Sequence, residues 1–296
     1  MTGSPPSGDR GAFLAAAPVM RTHRLALGVQ VVDALRGEPA DVAVAVEDGP
    51  LPYTVPMPAD LEAAAVSYDP GIGLPRLPRG RYPGRFRLVF GEHTAPPARV
   101  RIYDTARRYA PRRLEVPFAS LATVLAEEAS GVRPSSRARR IAVFPGSAYS
   151  PQSNATGIRG RVVDTEGAPV RWVRVTARHA VHGAVLGRAH GDDRGEFLLV
   201  LGVLPRKIAA PKAFLIHVLL DLAARPAALL GSPVGTLADP LADLFLEALP
   251  SAGMPDDISV GTTVPSTYSV RATSAVSLRL GRLVSPDSPF TLPEPE

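Results

Sequence analysis

The chain has 296 residues, 45% of them hydrophobic and 21% charged, a formal charge of +5 and no cysteine. That length suits two domain-sized cores, and the apolar share is enough to offset the entropy of ordering a chain. The missing cysteine excludes disulfides, a thiolate nucleophile and cysteine-held zinc. So small a charge surplus on so long a chain gives a weak field, which argues against a nucleic-acid partner.

The 32 prolines and 26 glycines favour many short strands joined by turns over long helices. In chain order, residues 1–19 read as a disordered leader: small residues, prolines, and an apolar run over 11–20 too short for a signal-peptide core. A cytoplasmic location is the expectation, with secretion left open.

Residues 20–118 read as a first β-sandwich. Val31-Val32-Asp33 opens it, Asp33 to Gly37 supplies a turn, and Val42, Val44 and Val46 alternate as the inward face of a strand. The stretch from Glu47 to Pro78 is a long Pro-rich and Gly-rich loop. A Gly-x-Phe strand follows at Gly84 to Phe90, and closing strands are expected over 98–103 and 112–117. Residues 119–150 read as a linker with a short apolar stretch at 121–129.

Residues 151–296 read as a second β-sandwich with a helical insertion at about 205–255. Val162-Val163-Asp164 opens it, a strand runs over 170–177, and Gly195-Glu196-Phe197 closes the central part. Within the insertion Leu215, Val218, Leu219 and Leu222, then Leu241, Leu244, Phe245 and Ala248, fall at helical spacing, with Pro240 at a helix start. The run 213–230 carries His217, Asp221, Arg225 and Pro226, so it reads as a helix docked on protein and no membrane is expected as a partner. Final strands are expected over 258–264 and 275–280.

The two halves repeat one order of signals: a Val-Val-Asp strand end, an acidic turn, Pro39 or Pro169, alternating apolar residues, and a Gly-x-Phe strand. The fold class that follows is all-β, two tandem Ig-like or transthyretin-like β-sandwiches, the second with a helical insertion.

Residues 160–170 (GRVVDTEGAPV) with Gly191-Asp192-Asp193-Arg194-Gly195-Glu196-Phe197 resemble the carboxypeptidase regulatory-like domain, a transthyretin-like sandwich. Over a wider stretch, residues 104–114 (DTARRYAPRRL) and 144–149 (FPGSAY), placed before that module, are similar to accessory proteins of phage-tail-like contractile injection systems of bacteria. That likeness implies a structural subunit whose partners are other protein subunits of a larger assembly, such as tail sheath, cap or baseplate proteins. A carbohydrate- or cell-surface-binding β-sandwich is the alternative.

No catalytic or cofactor-binding residue is expected, and no cofactor. None of the six histidines has Glu three residues on, so the zinc pair of a carboxypeptidase is missing. His179, His182, His190, Asp192 and Asp193 cluster in sequence, yet His179 and His182 are an odd number apart in a strand-like region and should face opposite ways, so no metal site is expected. Gly231 to Gly235 lacks the spacing of a nucleophile elbow, Gly71-Ile72-Gly73 lacks the context of a phosphate cradle, and Glu127-Glu128 and Asp256-Asp257 read as solvated charge. Trp172 reads as a core residue or a stacking platform. Arg107, Arg108, Arg112 and Arg113 are the expected partner-binding group, since the guanidinium fork suits carboxylates at interfaces; a solvated β-edge is the other reading.

Overall fold

The computed structural model describes residues 24–47, 71, 74–92, 94–131, 137–202, 215–226, 239–254 and 256–293. The architecture is mostly β, in four sheets with one short helix among the described residues. The expected leader, most of the 47–78 loop and the stretches 203–214 and 227–238 lie outside those residues.

The first sheet has β1 (Leu25–Asp33) at its centre, antiparallel to β3 (Arg85–Val89) and parallel to β6 (Ala138–Val143). The second orders β12 (Leu246–Ala248), β5 (Arg112–Val116), β4 (Ala98–Tyr103) and β2 (Ala43–Val46), with β12 and β5 parallel. One apolar cluster lies between them, with Val29 and Val31 of β1, Phe86 of β3, Ile141 of β6, Val44 of β2, Ile102 of β4 and Leu114 of β5 all buried.

The third sheet centres on β7 (Gly157–Val163), antiparallel to β10 (Glu196–Val200) and parallel to the short β14 (Leu283–Val284) and β15 (Phe290–Thr291). The fourth orders β13 (Val270–Arg279), β11 (Leu215–Ala224), β8 (Arg174–His179) and β9 (Val185–His190), antiparallel throughout. Ile158, Val162, Val175, Phe197, Leu199, Leu220 and Leu222 fill the cluster these two share.

The internal repeat returns as matched main-chain bonds. Val31 N–H donates to Gly84 at 2.7 Å, and Val162 N–H donates to Gly195 at 2.9 Å. Ala40 N–H reaches back to Val31, as Val170 N–H does to Val162, and isolated bridges join Val32 to Pro39 and Val163 to Pro169. Asp33 and Asp164 each accept the backbone N–H two residues on, at 2.7 Å from Leu35 and 3.0 Å from Glu166, the turn chemistry that places Asp after a strand. Gly84 and Gly195 sit at φ 67° and 71°, and a Cβ on either would come within 2.7 Å and 2.4 Å of the strand carbonyl it faces, so glycine is required there.

Three expectations are corrected. The linker at 119–150 holds α1 (Leu121–Ser130), capped by Ser120 and by left-handed Gly131, and then β6, which completes the first sheet. In the 205–255 insertion, the described residues form strands β11 and β12, with turns before and after β12, where helices were expected. The segment 258–264 is a turn followed by irregular chain in place of a strand. Burial alternates along β11, with Ile216, Val218, Leu220 and Leu222 inward and His217 outward; its apolar residues satisfy both periods, and pairing to β8 and β13 on either side settles which one holds. No helix among the described residues is long and apolar enough to cross a membrane.

Candidate functional site

The polar chemistry of the chain gathers along a seam where the first two sheets meet the last two. A small apolar cluster bridges it: Ala45 and Tyr103 from the first side, Trp172 from the second, and Leu241 and Leu244 from the segment between β11 and β12. Trp172 is therefore a core residue, 1% exposed. It holds φ 58°, a left-handed conformation rare for a bulky side chain, which breaks the strand alternation before β8 begins at Arg174. Its backbone N–H donates to the Asp192 carbonyl at 3.1 Å.

Arg112 is the centre of the seam. It is fully buried, and all five of its N–H donors are used: Nε and Nη2 on the Glu247 carboxylate at 3.2 and 2.8 Å, Nη1 on the Ala142 and Ser259 carbonyls at 2.8 and 2.9 Å, and Nη2 on the Ile258 carbonyl at 2.6 Å. Arg174, from β8, donates Nη2 at 2.9 Å to Glu247 Oε1, the oxygen that also accepts Arg112 Nε. Burial alone would push the Glu247 carboxyl up; the charges of Arg112 and Arg174, with the Arg112 hydrogen bond, outweigh it and hold the group below its ordinary 4.5. The triad thus joins β5, β8 and β12, two of them from the second sheet and one from the fourth. His190 lies beside it, stacked on Phe144 at 4.0 Å between ring centroids. Burial first, then the Arg174 and Arg112 charges, push this imidazole well below 6.5.

A second group of bonds crosses the seam at the β4–β5 turn. Arg107, left-handed at φ 56°, grips Asp193 with Nη1 at 2.5 Å and Nη2 at 3.3 Å. The neighbouring Asp192 accepts Ser147 Oγ at 3.1 Å and the backbone N–H groups of Arg194 and Glu196 at 2.9 and 3.0 Å. Arg108 folds back on Asp104 at 2.8 Å and reaches Asp41, and Arg113 clasps Glu47 at 2.7 and 2.9 Å while bonding the Ala242 and Leu244 carbonyls.

Beside the turn, Asp33 accepts four bonds: two backbone N–H groups on Oδ1, and on Oδ2 the phenols of Tyr149 at 2.6 Å and Tyr109 at 3.1 Å. Burial and then Asp33 push the Tyr109 phenol up to about 12, and burial with the Asp33 bond pushes Tyr149 up further. Both phenols remain proton donors, so the cluster fastens chain segments. A cavity of about 300 Å³ opens over Asp33, Arg36, Asp41, Arg108 and Tyr149. A second of about 430 Å³ shares Arg36 and Tyr149 and continues toward Asn154 and Leu201.

The four arginines expected to meet a partner are thus tied within the chain. Arg112 is 0% exposed and presents nothing to an outside protein; Arg107 and Arg113 are partly buried in ion pairs, and Arg108 is the most open at 43%. Sequence reasoning saw the cations and missed their acids, Asp193, Glu247 and Glu47, which lie 86, 135 and 66 residues away from Arg107, Arg112 and Arg113. One signal was present: Glu247 is the single charge in the apolar run 244–249, where an acid needs a partner.

His179 and His182, expected on opposite faces, stack on each other at 4.7 Å, because a turn follows β8 at once and strand alternation ends with it. His179 Nδ1 accepts the Val181 and His182 N–H groups. Among the described residues, no three His, Asp or Glu side chains come together as a metal site. Glu128 pairs with Arg24 at 3.0 Å, while Asp256 and Asp257 cap the turn at Ser259 and Thr262.

No family model matches the chain, and no curated protein matches it. Among solved structures it is similar to the TIE protein of Bacillus anthracis, at 8% identity and a TM-score of 0.24, over 92% of this chain and 34% of that one. A Streptococcal ancillary pilin follows at 10% and 0.23, over 92% and 69%, and a leucine-rich repeat protein from Bacteroides thetaiotaomicron at 9% and 0.21, over 92% and 27%. The chain spans about a third of the length of the TIE protein. Scores of this size carry no argument about function.

Proposed function

We propose that the chain is a non-enzymatic structural or accessory subunit that acts through protein–protein contacts, with two like-ordered β-sandwiches, the second of carboxypeptidase regulatory-like type, locked into one body. The assembly we propose for it is a phage-tail-like contractile injection particle, put together in the bacterial cytoplasm, with sheath, cap or baseplate proteins as partners.

The observation that supports this reading is where the motif residues lie. The segments 104–114 and 144–149, which carry the likeness to tail-particle accessory proteins, supply Arg107, Arg112, Phe144, Ser147 and Tyr149 to the seam. Taking one member from a buried ion pair costs about 3–5 kcal/mol, so the two sides resist being pulled apart or rotated. Rigidity of that kind suits a subunit that keeps a fixed register between neighbours.

The test is sedimentation of the tagged chain from its own cells. Co-pelleting with a high-mass tubular particle containing sheath and tube proteins is the expected result. A chain that stays at the mass of its monomer and binds glycans on an array would overturn the proposal in favour of a surface-binding module.

A further inference from the structure

The internal repeat extends to the second and fourth sheets, and there it leaves one edge unmatched. In the second sheet the order runs β2, β4, β5; in the fourth it runs β8, β11, β13, with the same antiparallel pairings after the same Pro-marked turn. By position β13 is the counterpart of β5. The outer edge of β5 is covered by β12, a strand from 133 residues further along the chain that pairs with it in parallel, Leu246 facing Arg113 and Ala248 facing Glu115. Among the described residues no strand pairs with the outer edge of β13.

That edge is long and its core is unfinished. β13 has ten residues, against a usual strand of about five or six. Its inward residues Ala272, Ser274 and Val276 are only half-buried, whereas the residues they face on β11, Leu222, Leu220 and Val218, are at most 1% exposed. Among the described residues no strand beyond β13 closes over them. Edges of this length are ordinarily blunted by prolines, bulges or inward charges; β13 has no proline, pairs with β11 without a register shift, and points no charge inward.

The charges that β13 does carry are two exposed arginines, Arg271 and Arg279, about 27 Å apart along the strand. Neither side chain makes a hydrogen bond or ion pair among the described residues. Asp221, which feels the charge of Arg271, is already held by Arg178 and Thr273. A second copy of β13 laid antiparallel about Ala275 would set Arg271 against Arg279, like charge on like. The covered edge shows the opposite choice, since β12 brings Glu247 onto Arg112.

We propose that β13 is a docking edge, taking up an extended acidic segment of a partner protein as an added strand. The segment's backbone completes the sheet, its apolar side chains cover Ala272 and Val276, and its carboxylates meet Arg271 and Arg279. The inference rests on the reading of the chain as an assembly subunit and gives that reading a surface.

The test uses the full chain and amide exchange followed by NMR. Alternate amides of β13 should exchange fast in the free protein. A synthetic decapeptide of alternating Val and Thr with Glu at both ends should protect them, while its Lys-ended counterpart should bind about tenfold more weakly. In a variant carrying Arg271→Glu and Arg279→Glu the preference should invert. Absence of protection by either peptide, equal protection by both, or protection that grows with protein concentration alone would overturn the proposal, the last by making a second copy the occupant. A failed peptide test beside an intact particle pellet retires the edge and keeps the subunit; binding by a chain that never pellets does the reverse.

Discussion

Replacing Glu247 by Leu removes the one carboxylate between two buried guanidinium groups. Arg174 then loses its only side-chain hydrogen bond among the described residues, and Arg112 keeps three bonds to carbonyls while losing its counter-charge. Stripping one partner from a buried pair costs about 3–5 kcal/mol, and here two like charges are also left facing each other, so the upper half of that range is expected. Urea unfolding followed by the fluorescence of Trp172, the single tryptophan and 1% exposed beside the seam, reads the change directly. The companion variant Arg112→Met, Glu247→Leu, Arg174→Met exchanges the whole triad for apolar volume, and it should regain most of the loss because no charge remains to be desolvated. A Glu247→Leu protein within about 1 kcal/mol of the parent would refute the account of the seam. So would a triple variant no more stable than the single one.

Further outcomes follow from the same geometry. His190 is held well below 6.5 in the folded chain, so the unfolded chain binds the proton first; stability is intact above pH 6.5 and falls as pH drops below it toward the folded value. His190→Phe should flatten the pH dependence of the urea midpoint between pH 6.5 and 5, and equal slopes for the two proteins would remove His190 as its source. Glu247 titrates lower: its contribution is present above 4.5 and lost only as pH falls through its depressed folded value. Gly195→Ala should destabilise by more than Gly167→Ala, because a Cβ at Gly195 comes within 2.4 Å of the Val162 carbonyl while Gly167 has open space; melting temperatures compare the two. Tyr149→Phe takes one of four bonds from buried Asp33 and should cost about 1–3 kcal/mol in the same urea assay.

A partner-binding surface would tolerate Arg107→Ser, Arg108→Ser, Arg112→Ser and Arg113→Ser together without harm to the fold. With Arg112 buried and its companions in ion pairs across or beside the seam, the same substitutions should lower the melting temperature sharply.

Residue chemistry alone determined the β class of this chain, because alternation, prolines and turn aspartates are local signals that a strand satisfies within a few residues. It also fixed the repeat: Asp33 and Asp164, Gly84 and Gly195, Phe86 and Phe197 hold corresponding places in the two halves, since a turn or a left-handed glycine is dictated by neighbours in sequence. Only the tertiary structure decided that residues 215–224 form a strand, for their apolar residues fit both periods and the choice lies with β8 and β13. It alone sent β6 to β1 and β12 to β5, pairings between distant residues that no local pattern specifies. It decided the arginines too: a guanidinium on a strand reads the same whether water or a carboxylate 135 residues away awaits it, and for Arg112 it is the carboxylate.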